Sequence, residues 1–215
     1  MTSLGTITGE DGFRYDLTAD DLQWLARAAK YEGRNKAATM WALAQRFVEL
    51  RELNPGSATY RTFRDLITRY AQPVNPIWRR DGVMCAPGGD YASADVCAPN
   101  RLAVRDRAAE DPAEAELALA YRWARGEIPN PVPRAVHYAV RRLVEPKLAT
   151  GELHTLVLAD DNWYASDARS ARWGKDHVRV SGTGTGGLST GLVLGLSLGG
   201  VLLVGLGAWA VQRYR

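Results

Sequence analysis

The chain has 215 residues, a formal net charge of +3 and 24% charged residues. This length suffices for one well-packed domain with residues left over. The mild basic excess suits an anionic polymer or an anionic membrane surface, and the lack of a Lys/Arg-rich run with interleaved aromatic residues argues against nucleic acid as a partner. The N-terminal residues show neither the basic region nor the apolar region of a cleaved signal peptide.

The first predicted helix ends on an acidic residue. Residues 1–17 are expected to form an extended, partly ordered lead-in, and the spacing of Thr18 and Asp21 then predicts a helix start. Glu32 lies on the same helical face as Leu22 and Leu25. On that face, scarce water and the negative end of the helix dipole would raise the pKa of Glu32. Such an acid suits general-acid cleavage of a glycosidic bond, and the alternative is a boundary glutamate that reaches solvent.

Further helices are predicted along the chain. Apolar periodicity indicates helices over about 36–53, 60–70 and 134–143, and a cap at Asp111 followed by Pro112 starts another that ends at Gly126. Short strands are expected near 153–158 and 177–180. Residues 71–100 lack periodicity, which is typical of a functional loop or a disordered one. The domain is therefore predicted to be mainly α with a small β element.

The cysteines and histidines limit the chemistry. Cys85 and Cys97 are either unpaired thiols or one disulfide that closes a short loop. His137, His154 and His177 are widely spaced and include no His-Glu-x-x-His pattern, so a zinc amidase is disfavoured. Neither a metal ion nor another cofactor is expected.

The C-terminal segment has the composition of a membrane span. Residues 182–187 form a Gly/Thr linker, and residues 188–211 carry no charge over 24 positions, more than the roughly 20 that cross a bilayer. A short basic tail, 212–215, follows. Glycines recur at every fourth position, which favours close packing of two membrane helices; the alternative is a span without a partner. These glycines are Gly187, Gly191, Gly195 and Gly199.

Three segments taken together resemble the spore-cortex-lytic type of cell-wall hydrolase, a lysozyme-like family. The first is LARAAKYE at 25–32 with the Ala-rich helix that contains Gln45 and Arg46. The second runs over 60–78, and the third, ARGEIPNPVPRAVHY, covers 124–138. This chain departs from the family pattern at three places. The family's second acidic residue is missing, its Asn is replaced by Gln45, and its Thr-x-Gly-Ala core is replaced by Val-Pro-Arg-Ala.

The resemblance implies a lysozyme-like helical domain over 18–181, and the composition of 188–211 places a single transmembrane helix after it. It places the family's catalytic glutamate on Glu32. It further implies that several polar and aromatic residues bind peptidoglycan sugars, although packing in the core is an alternative for Trp78 and Tyr138. The implied sugar-binding residues are Gln72, Asn75, Trp78, Asn130, His137 and Tyr138.

The implied activity is lytic cleavage of the bond between N-acetylmuramic acid and N-acetylglucosamine. A lytic transglycosylase uses one glutamate as acid and then as base, whereas ordinary hydrolysis uses a pair of carboxylates, so the transglycosylase is favoured. The alternative is a non-catalytic, membrane-anchored structural or glycan-binding protein. The expected setting is a phage virion membrane or a bacterial envelope, with the catalytic domain facing the cell wall.

Overall fold

The computed structural model describes residues 3–32, 34–71, 107–108, 110–159 and 162–182. Five helices are found in these ranges: α1 Ala19–Glu32, α2 Lys36–Leu53, α3 Phe63–Tyr70, α4 Glu114–Ala124 and α5 Arg141–Ala149. The same ranges contain the strands β1 Thr6–Gly9, β2 Arg14–Asp16, β3 His137–Val140, β4 Leu153–Ala159, β5 Asn162–Asp167 and β6 Val178–Ser181. A 3₁₀ turn, Ser170–Arg172, connects the last two strands.

The prediction of a mainly α fold with a small β element is wrong. The strands form two antiparallel three-stranded sheets, ordered β2-β1-β6 and β3-β5-β4. The first sheet joins the two ends of the described chain, since Thr6 pairs with Ser181 and Gly9 with Val178. Such a pairing depends on residues distant in sequence, so local periodicity does not reveal it. The fold is therefore of the α+β type.

The predicted membrane span falls on residues that the structure does not describe. Within the described ranges, no helix is both long enough and apolar enough to cross a membrane. The segment 188–211, its four-residue glycine repeat, the linker from residue 183 onward and the basic tail all lie outside the described residues.

The bounds of α1 and α2 agree with the sequence prediction. At the start of α1, Thr18 Oγ1 accepts from the Asp21 backbone N–H at 3.2 Å, and the Asp21 carboxylate accepts from the Thr18 N–H at 2.9 Å. This reciprocal capping box holds the helix start. Asn35 caps α2 by accepting from the Ala38 N–H. The chain between these helices is consequently short, and Glu32 ends α1 directly before it.

The core lies around α2, which is buried on most of its circumference. An aromatic series crosses it: the rings of Trp41 and Trp123 are 5.9 Å apart, those of Trp123 and Phe63 are 6.0 Å apart, and those of Phe63 and Phe47 are 5.4 Å apart. Aromatic pairs at this separation add to the free energy gained by burial. The series fixes α3 and α4 against α2.

One helix prediction fails beside the second sheet. The helix expected over 134–143 is instead strand β3 followed by α5. Arg134 has a φ of 72°, in the left-handed region, which is incompatible with a helix that begins there. The backbone then extends, and β3 pairs with β5. Tertiary pairing has therefore overridden the apolar spacing of this segment.

Candidate functional site

Glu32 lies where α1 meets the second sheet. It is the last residue of α1, its side chain is half-buried, and its Oε1 atom is inaccessible to solvent. On the sheet side, the Asn162 amide Nδ2 donates to the Glu32 backbone oxygen at 3.1 Å. The glutamate is therefore held at a helix end and partly shielded from water, a position that fits both the inward orientation that its helical spacing predicts and the alternative of a boundary glutamate.

Asp111 holds the last turns of α1 from another side. Its Oδ2 atom accepts from Lys30 Nζ at 2.5 Å and from the Tyr31 hydroxyl at 2.6 Å, while its backbone oxygen accepts from Arg27 Nε at 2.9 Å. Hydrogen bonds from Lys30 and then Tyr31 lower the pKa of Asp111 well below its usual range. Asp111 is therefore an ionised anchor for the two residues that directly precede Glu32.

The second sheet presents an aromatic pair to the helices. Tyr138 on β3 lies opposite Tyr164 on β5, with ring centroids 5.7 Å apart. Tyr164 is fully buried, and its hydroxyl is 3.1 Å from Thr39 Oγ1 on α2. Asn162 is two residues before Tyr164 on the same strand and so lies on the same face. This face therefore carries both the aromatic pair and the amide that contacts Glu32.

Of the other predicted sugar-binding residues, Asn130 and His137 lie in the described part of the chain. Asn130 serves a turn: its Oδ1 accepts from the Val132 N–H at 3.0 Å, and its Nδ2 donates to Gln45 Oε1 at 3.4 Å. His137 is on β3, where burial, followed by the charge of Arg46, lowers its pKa to about 4. The other residues with a predicted role lie outside the described ranges: Gln72, Asn75, Trp78, Cys85 and Cys97.

Local sequence patterns do not reveal a buried acid pair on α2 and β5. The Glu49 side chain has no exposed surface: its Oε2 accepts from Arg46, and its Oε1 is buried without a hydrogen-bond partner. Burial, followed by the interaction with Asp167, raises the pKa of Glu49 to about 8. Burial acts to raise the pKa of Asp167 as well, but its interaction with Glu49 and the hydrogen bonds from the Ser170 and Arg169 N–H groups lower that pKa to about 2.

The raised pKa of Glu49 favours its protonated form near neutral pH, beside an ionised Asp167. Complete burial excludes Glu49 from contact with a substrate, so the pair belongs to the core. The i, i+3 spacing of Arg46 and Glu49 is visible in the sequence, whereas the proximity of Asp167 on β5 is not.

A second buried cluster lies near the end of α2. His177 Nδ1 is 3.1 Å from Glu10 Oε2, and its Nε2 is 3.0 Å from Glu52 Oε1. Arg169 also pairs with Glu52 at 3.1 Å, and the Trp173 ring stacks on the His177 ring with centroids 4.1 Å apart. The cluster connects the β1–β2 turn, α2 and the start of β6.

These features stand without support from related proteins. Comparisons of the chain with protein family models, with curated proteins and with solved structures gave no match. Among the residues that the structure describes, no group of three His, Cys, Asp or Glu side chains is arranged to hold a metal ion. The fold and the site define an α+β protein with a shielded glutamate at a junction between a helix and a sheet.

Proposed function

We propose that the chain cleaves the glycan strands of peptidoglycan, with Glu32 as its catalytic acid and base. The observation that carries this proposal is the position of Glu32: it ends α1, and one carboxyl oxygen is shielded from water. General acids of glycosidic cleavage are carboxyl groups in such partly shielded positions. The resemblance of residues 25–32 and 124–138 to cell-wall hydrolases supports the same assignment.

The reaction that fits one such residue is lytic transglycosylation. Glu32 donates its proton to the glycosidic oxygen as the bond from that oxygen to C1 of N-acetylmuramic acid breaks. The resulting carboxylate then takes the proton of the C6 hydroxyl of the same sugar, whose oxygen bonds to C1. A 1,6-anhydro product forms, Glu32 recovers its proton, and no water is consumed.

The neighbouring carboxylates described above are already engaged. Asp111 is hydrogen-bonded to Lys30 and Tyr31, and the Glu49–Asp167 pair is in the core. Retaining or inverting hydrolysis uses a second carboxyl group placed about 5 to 10 Å across the scissile bond. The commitment of these groups to structural contacts favours the one-carboxylate route.

The sugar-binding assignment is also part of the proposal. The aromatic ring of Tyr138 suits stacking on a pyranose, and it shares a sheet face with Asn162. Gln72, Asn75 and Trp78 remain predicted contributors from the sequence. The site of action that we propose is the cell wall, reached from a phage virion or from the bacterial envelope, and fractionation of particles and host envelopes distinguishes these sources.

The test is mass spectrometry of muropeptides after digestion of purified peptidoglycan with the full chain. We expect anhydromuramyl ends with the wild type, and a loss of at least about 1,000-fold with Glu32→Gln, which keeps the shape and removes the acid. Glu114→Gln is the matched control, because Glu114 is an exposed glutamate in the first turn of α4. Its activity is expected to equal that of the wild type.

Each other outcome has a defined meaning. Reducing muramic ends would replace the transglycosylase by a hydrolase. Intact glycan with retained binding to peptidoglycan would favour the non-catalytic glycan-binding alternative. Intact glycan without binding would refute both assignments.

A further inference from the structure

The central strand of the second sheet contacts both helices that flank the α1–α2 connection. Asn162 Nδ2 donates to the Glu32 backbone oxygen at 3.1 Å, which fixes the end of α1. Two residues later, the Tyr164 hydroxyl is 3.1 Å from Thr39 Oγ1 in the first turns of α2. Both contacts come from one face of β5. β5 therefore fixes the end of α1, which carries the proposed catalytic Glu32, and the first turns of α2.

β5 is suited to this task because it is held on both sides. Asn162 pairs with Val140 of β3 and with Ala159 of β4, and Tyr164 is fully buried. A central strand has less freedom than an edge strand, since its backbone groups bond to two neighbours. The Asn162 amide is therefore presented from a fixed backbone.

The contact also has an electrostatic effect at the helix end. The last four carbonyl groups of a helix lack partners within the helix, and they carry its negative partial charge. A side-chain N–H that donates to the Glu32 carbonyl satisfies one of these groups and offsets part of that charge. Asn162 thereby fixes the position of Glu32 and moderates the field that its carboxyl group experiences.

We propose that Asn162 is a positioning residue for Glu32, which it holds through the backbone rather than by contact with a substrate. This inference rests on the proposed glycan cleavage and adds to it a residue that the sequence analysis did not identify. A displacement of about 1 Å at a catalytic group can lower a rate by roughly 100-fold. Loss of the amide should therefore lower kcat, while KM for the glycan should change little.

The test compares Asn162→Asp with the wild type in the full chain. The substituted side chain has the same size, but it cannot donate when ionised, and it places a negative charge beside the Glu32 carbonyl. We expect kcat for release of anhydromuropeptides to fall by about 10- to 100-fold with KM within about twofold of the wild type. Hydrogen exchange should become at least about tenfold faster at the last-turn amides of α1, Ala29 to Glu32, and stay unchanged at its first turn.

The matched control is Asn54→Asp. Asn54 is the exposed C-cap of α2, so this variant places the same charge at a helix end away from Glu32. It should retain the wild-type kcat and the wild-type exchange rates in α1. Asn162→Ala provides a second variant, without the added charge, if the aspartate variant fails to fold.

The two proposals fail in different ways. A wild-type chain that releases no glycan fragments overturns the proposed function. An active wild type whose Asn162 variants keep the wild-type kcat, or change only KM, overturns the positioning role and leaves the function intact. Unchanged exchange in the last turn of α1 also overturns that role.

Discussion

The buried Glu49–Asp167 pair makes the stability of the fold depend on pH in a way that one substitution should remove. In the folded chain the pKa of Glu49 is raised from 4.5 to about 8, chiefly by burial. Glu49→Gln replaces the protonated acid by a neutral amide of the same shape. The amide oxygen can accept from Arg46, so this contact is kept while the titration is lost.

The direction and the size of the change in the free energy of unfolding follow from the difference in proton binding between the folded and the unfolded chain. Between pH 4.5 and about 8 the folded chain keeps a proton on Glu49 that the unfolded chain has released. The free energy of unfolding therefore falls as pH rises through this interval and becomes level above it. At about 1.4 kcal/mol per pH unit, the loss between about pH 6.5 and about pH 8.5 is about 2 kcal/mol.

The pH range of this effect also distinguishes Glu49 from the other titratable groups nearby. Asp167 has its pKa lowered from 3.8 to about 2, so its stabilising effect is lost only as pH falls through that lower value. His137 has its pKa lowered from 6.5 to about 4, and its effect is lost on acidification between these values. Neither group contributes much change above about pH 6.5.

The assay is urea unfolding followed by tryptophan fluorescence at the two pH values. We expect wild-type stability to fall by about 2 kcal/mol relative to Glu49→Gln as the pH is raised. Other groups that titrate in this range act equally in both proteins and cancel in the difference. Glu114→Gln, an exposed glutamate, should follow the wild type. Parallel profiles for the wild type and Glu49→Gln would refute the raised pKa of Glu49.

Two further experiments test the polar groups that hold the core. Gln45→Leu removes an amide that donates to the Val132 and Ala135 carbonyls at 2.9 and 3.0 Å, so the unsatisfied carbonyls should cost about 2–4 kcal/mol in urea unfolding; a cost below about 1 kcal/mol would contradict this. For the imidazole cluster, a double-mutant cycle of His177→Ala with Glu52→Gln should give a coupling free energy of at least about 1 kcal/mol. Additive effects would show that the two side chains do not interact.

Local chemistry made α1 and α2 predictable from the sequence. The capping spacing of Thr18 and Asp21 depends on residues three apart, and the observed hydrogen bonds follow it. The end of α4 also follows a local rule: Gly126, with a φ of 77°, adopts the left-handed conformation that terminates helices. Where a few consecutive residues decide the structure, the sequence is informative.

The sheets were not predictable in the same way, because their pairings join distant segments. β1 pairs with β6 across most of the described chain, and Gly5 shows how closely that sheet approaches α4: a Cβ there would lie 2.2 Å from the Ala124 carbonyl oxygen. Neither relation leaves a local pattern. The apolar spacing of residues 134–143 is compatible with a helix. His137–Val140 nevertheless form strand β3, because they pair with β5.

The candidate site depends on both local and long-range contacts, so the sequence predicts only part of it. The inward orientation of Glu32 follows from the 3.6-residue period of one helix, so the sequence alone predicts it. Its anchor Asn162 is 130 positions away, and the same strand supplies Asp167 to Glu49. β5 therefore contributes to the Glu32 junction at one end and to the buried acid pair at the other. A substitution that disrupts the middle of β5 should perturb both. Glu49→Gln, which keeps the contact with Arg46, should instead change the pH dependence of stability and leave the proposed glycan cleavage unaltered.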